Sequence, residues 1–91
     1  MLKDCGFLIT EDGKPNNEAI GIIRKSGFNG PLYFSSSVNP NEVKGKPVFC
    51  MPEMEPLAML AWMFHGIDVY MVDVNQKSIK TRSTSKATMF K

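Results

Sequence analysis

From Leu57 to Phe64 every side chain is apolar. Leu57, Leu60, Ala61 and Phe64 fall at i, i+3, i+4 and i+7, one face of a helix. Ala58, Met59, Trp62 and Met63 occupy the opposite face, so no side of this helix is polar. A helix apolar all round is buried all round or sets its second face against a partner. The boundaries agree with a helix here: Pro56 suits its first turn, Glu53 and Glu55 lie near the positive end of its dipole, His65 lies near the negative end, and Gly66 suits a left-handed stop. Val48-Phe49-Cys50-Met51 before it and Ile67 to Val74 after it read as strands apolar on both faces. Strand, helix and strand together have the length of a crossover between parallel strands.

The remaining pattern adds elements at both ends. Phe7 to Thr10 predicts a first strand closed by the turn signal Asp12-Gly13. A helix follows, capped by Asn16 or Asn17, striped by Ala19, Ile20 and Ile23, closed by Arg24, Lys25 and Gly27, and weakened by Gly21. Residues 31–36 alternate as a second strand, and Asn39-Pro40-Asn41-Glu42 opens at most one helical turn before Gly45. Ile79, Thr81 and Ser83 alternate with Lys80, Arg82 and Thr84, the pattern of an edge strand hairpinned onto residues 67–74. Residues 85–91 read as a frayed basic tail.

This succession, βαββαβ with an extra strand, resembles the ferredoxin-like pattern, which implies an α+β sheet with two helices on one face. A small three-layer α/β parallel sheet is the alternative. In the ferredoxin-like arrangement the open sheet face needs a cover, and self-association supplies one. The run 57–64 is far shorter than the roughly 20 apolar residues a membrane span needs.

Ninety-one residues make one domain with a single core. Seven methionines are many for this length, and methionine is over-used on adaptable binding surfaces. Net charge is +2 but unevenly placed: residues 77–91 hold five bases and no acid, against six bases and nine acids before them. A basic end meets phosphate or an acidic partner, or serves as a lysine-protected strand edge. Cys5 and Cys50 show no metal or redox spacing, and Met1-Leu2-Lys3-Asp4 lacks a signal-peptide core, so the expectation is a cytoplasmic protein with free thiols.

Candidate chemistry is thin. The junction Met51-Pro52-Glu53-Met54-Glu55-Pro56 has two prolines without N–H donors and two anion-repelling glutamates, so it does not predict a phosphate cradle. Glu53, Glu55 and Asp73 beside a strand–helix–strand unit are similar to the toprim fold of primases and topoisomerases, a resemblance that implies a divalent cation. Met51-Pro52 stands where that family has a catalytic Glu followed by Gly, and Asn75 ends its acidic pair. His65 is the only histidine and has no sequence neighbour that marks it or a cysteine as catalytic. Lys44-Gly45 resembles the opening of the longer RNA-recognition-motif signature, after which Lys46, Val48 and Met51 take its aromatic positions.

The expectation is therefore a small non-enzymatic accessory or inhibitory protein, of the size class common among phage and mobile-element factors, with no cofactor and no metal. Met59, Trp62, Met63 and Tyr70 are its candidate partner-binding residues, for a protein partner or a second copy. The alternative is weak, salt-dependent nucleic-acid contact through Lys77, Lys80, Arg82 and Lys86, and a second alternative is a small enzyme or metal-dependent domain using Glu53, Glu55 and Asp73 or His65.

Overall fold

A computed structural model describes residues 5–83. The strands are β1 (Gly6–Ile9), β2 (Leu32–Ser35), β3 (Val48–Cys50), β4 (Val69–Asp73) and β5 (Ser78–Ser83). The helices are α1 (Asn17–Lys25), the one-turn α2 (Pro40–Val43) and α3 (Glu55–His65), with a 3-10 turn at Pro52–Met54 leading into the last. The basic tail expected at 85–91 lies outside the described residues.

The sheet order is β2-β1-β3-β4-β5. β1 pairs parallel with both β2 and β3, β3 pairs parallel with β4, and among the described strands only β5 runs antiparallel, hairpinned onto β4. This overturns the ferredoxin-like expectation, whose sheet is antiparallel with both helices on one face. The parallel three-layer alternative fits in part: β5 breaks the parallel run and α2 is a single turn.

The physical reason lies in the strands. Leu8 and Ile9 of β1 are both fully buried although they point to opposite faces, and Val48, Phe49 and Cys50 of β3 are all buried. Strands buried on both sides need helices on both sides. The chain steps from β1 to β2 in one direction and from β3 to β4 in the other, so crossovers of one hand put α1 and α3 on opposite faces. Two separate cores result. Leu8, Ala19, Ile22, Ile23, Phe49, Met51 and Val72 are buried beneath α1. Ile9, Val43, Val48, Cys50, Ala58, Ala61, Ile67 and Val69 are buried beneath α2 and α3.

Local signals place the elements. Asn16 caps α1, its side chain accepting from the Ala19 N–H at 3.0 Å, and Asn39 caps α2 in the same way through Asn41. Gly6 supplies a close approach: a Cβ there would meet the Phe28 ring at 3.0 Å and the Phe49 ring at 3.2 Å. Those rings form a row with Tyr70, with Phe28–Phe49 and Phe49–Tyr70 centroids 5.4 and 5.6 Å apart. Among the described residues, no helix is long and apolar enough to cross a membrane.

Candidate docking surface on the last helix

α3 begins without a side-chain cap, carries Pro56 in its first turn, and stops where Gly66 takes φ 67°, its N–H donating to the Trp62 carbonyl at 2.9 Å. Its inward face is built on small residues. Ala58 and Ala61 are buried against Val48, Cys50 and Val69, and Met54, Met59 and Trp62 flank them, half-buried. The alanines let the helix approach the sheet closely, while the longer flanking side chains reach down its sides.

The large residues point out. Leu57 is 37 % exposed, Leu60 48 %, Met63 63 % and Phe64 73 %. The sequence pattern assigned Leu57, Leu60 and Phe64 to one face and Met63 to the other; the structure turns all four outward. Only Ala61 of the i, i+3, i+4, i+7 stripe faces the core. Leu57, Leu60, Ala61 and Phe64 also border a groove of about 150 Å³, closed on its other side by Val38 and Pro40 and at its end by His65.

The four residues expected to bind a partner do not form one surface. Met63 is on the outward face, whereas Met59 and Trp62 pack half-buried along the inner flank of α3. Tyr70 lies across the sheet beneath α1, where burial first, and then the Asp68 carboxylate, push its phenol up. Leu57, Leu60 and Phe64 are the surface residues the sequence reading missed. Their signal was the pair of alanines, since a helix with no polar side tends to turn its small residues toward a close neighbour.

The basic residues are placed as follows. Lys77 sits exposed in the β4–β5 turn with φ 53°. Lys80 pairs with Asp73 at 3.2 Å, and Arg82 pairs with Glu55. Lys86 lies outside the described residues. The carboxylates of the cation reading are thereby engaged: Glu55 by Arg82, and Asp73 by Lys80 and the Gln76 N–H. Among the described residues no three His, Cys, Asp or Glu side chains gather as a metal site.

Cys5 and Cys50 are free and buried. Burial first, and then the nearby Glu55 carboxylate, push the Cys50 thiol up to about 12, so it stays protonated and unreactive at neutral pH. Cys50 ends β3 ahead of the start of α3, whereas His65 is the last residue of that 11-residue helix.

Strand order reverses between β1 and β3, the place where open α/β sheets bind ligands. A crevice of about 190 Å³ lies there, lined by Thr10, Asp12, Lys14, Asn16, Met51 and Glu53 among others. The buried Thr10 hydroxyl has a single proton to donate and lies within hydrogen-bond reach of both the Asp12 carboxylate and the Lys14 carbonyl. The Lys14 N–H in turn holds the Asp12 carboxyl below its usual range. The loop thus satisfies itself internally, and its acidic rim disfavours an anion.

No family model, no curated protein and no solved structure matches this chain.

Proposed function

We propose that this protein is a small macromolecule-binding factor, accessory or inhibitory in action, that docks a protein partner on the outward face of α3. One observation carries the reading: Leu57, Leu60, Met63 and Phe64 are exposed side by side on a helix whose alanines face the core. Single exposed hydrophobics are ordinary, but a contiguous patch marks an interaction site. A phenylalanine side chain buries about 150–250 Å² when covered, so leaving Phe64 mostly exposed forgoes on the order of 3 kcal/mol at about 25 cal/mol per Å². A partner seated on the face recovers that burial.

Catalysis is not favoured by this geometry, because the Cys50 thiol is held protonated and His65 sits at the far end of α3 from it. Nucleic-acid contact gains little either, since Lys80 and Arg82 each face an acid of the same chain.

The test is affinity capture from native host lysate with wild-type protein, Phe64→Glu and the control Tyr33→Glu, read by mass spectrometry. The expected result is a partner retained by wild type and Tyr33→Glu and lost by Phe64→Glu. Equal recovery by Phe64→Glu would overturn the reading.

A further inference from the structure

We propose that the cleft over Phe7 and Tyr33 binds a free aromatic amino acid, its ring on those two side chains, its ammonium group at Glu42 and its carboxylate at Lys46. The site lies on β1 and β2 and is separate from the docking face of α3.

The cleft exists because β2 has no helix above one of its faces. β1 and β2 run parallel with Phe7 opposite Tyr33 and Ile9 opposite Ser35, so these four side chains share a sheet face. Ile9 is buried there beneath α2 and α3 and Phe7 packs half-buried at the edge of that core, to which no β2 residue belongs. Leu32 and Phe34 pack beneath α1 on the other face. Tyr33 is left 43 % exposed beside a cleft of about 490 Å³, lined also by Phe7, Ser35, Glu42 and Lys46. Small-ligand sites run from about 300 to 1,000 Å³.

Its floor is aromatic. The Phe7 and Tyr33 ring centroids lie 5.5 Å apart with the planes tilted by 35°. A third ring adds to such a pair by offset stacking or edge to face.

Its wall carries one charge of each sign. α2 buries Val43 and places Glu42 next to it in sequence. Gly45 takes φ 77° and the Lys46 N–H donates to the Val43 carbonyl at 2.9 Å, a turn that brings Lys46 back to the same cleft. Among the described residues neither charged side chain is ion-paired or hydrogen-bonded, with the other or with a third group. The Ser35 hydroxyl accepts from the Ser37 N–H at 3.1 Å and keeps its own proton to donate.

This set selects a ring with a cation and an anion held close together, which is the chemistry of an aromatic amino acid. A phosphate ester would gain Lys46 and be repelled by Glu42. An uncharged ring would leave both charges unanswered.

Amide NMR of the full chain, titrated with L-tryptophan, tryptamine and N-acetyl-L-tryptophanamide, tests the site. Tryptamine keeps only the ammonium group, and the capped amide stands for tryptophan within a peptide. At ordinary ligand efficiency a molecule of about fifteen non-hydrogen atoms binds with a dissociation constant of about 1 mM or somewhat below. L-Tryptophan is expected to shift the amides of Phe7, Tyr33 and Lys46, and the capped amide to bind at least about threefold more weakly. Lys46→Met should weaken L-tryptophan by a similar factor and leave tryptamine unchanged. Glu42→Gln should weaken both, and Tyr33→Ala all three ligands, with the dispersion of each spectrum confirming the fold. Silence of the cleft amides at about 10 mM L-tryptophan, shifts centred on α3 instead, or equal affinity for the three ligands overturns the proposal.

Discussion

Arg82 on β5 is ion-paired with Glu55 in the first turn of α3, 27 residues earlier in the chain. The pair ties the outer strand of the C-terminal hairpin to the start of the helix that carries the docking face. Both side chains are partly solvated, so the link orients more than it stabilises. Arg82→Ala is expected to cost about 0.2–1 kcal/mol in urea unfolding, and the coupling to Glu55→Ala to shrink as salt is raised. A loss well above that range, insensitive to salt, would show that the arginine packs as well as pairs.

Substitutions on α3 distinguish its two faces. Ala61→Leu forces added volume into the close helix–sheet contact and is expected to destabilise by about 1–3 kcal/mol. Leu60→Ala removes a side chain 48 % exposed and is expected to cost less than about 1 kcal/mol. Chemical denaturation of the two variants measures both. Reversed magnitudes would mean that the helix is turned the other way.

The Cys50 thiol gives a pH signature. Its value rises from an ordinary 9.0 to about 12 in the folded protein. The unfolded chain loses that proton first, so the contribution to stability is fully present below about pH 9 and is lost as pH rises toward 12. Cys50→Ala should flatten this alkaline slope. Native protein should also resist thiol reagents at pH 8, reacting at a rate set by unfolding; rapid modification would contradict the burial.

Asp73 acts at the opposite end of the pH scale. The Gln76 N–H first, and then Lys80, hold its carboxyl below the ordinary 3.8. Its contribution to stability is complete above that value and is lost as pH falls through the lower folded one. Asp73→Asn should therefore weaken the acid dependence, and a carboxyl-carbon titration by NMR should place the Asp73 midpoint below that of an unstructured aspartate. A midpoint at or above 3.8 would contradict it.

Much of the local structure was legible in the sequence. The strand patterns around Leu8, Phe49 and Val72, the Asn16 cap, the single turn after Asn39 and the hairpin of β5 onto β4 all appear where residue chemistry puts them. Strand order was not legible, because the succession of elements is compatible with more than one topology. The two-sided burial of Leu8 and Ile9 held the deciding information, since it requires helices on both faces. The orientation of α3 was obscured by uniform hydrophobicity. With no polar residue between Leu57 and Phe64, periodicity gives no direction, and side-chain size decides: Ala58 and Ala61 go in, Leu60 and Phe64 stay out. The tertiary pairs Lys80–Asp73 and Arg82–Glu55 depend on that same topology and could not precede it.

The central claim, that the outward face of α3 is where this protein meets its partner, is tested most directly by methyl NMR of methionine-labelled protein titrated with native host lysate. Met63, on that face, is predicted to shift progressively as lysate is added while Met51, buried beneath α1, stays fixed. A Met63 resonance unmoved by added host lysate, in a protein whose other methyls do respond, would contradict the account.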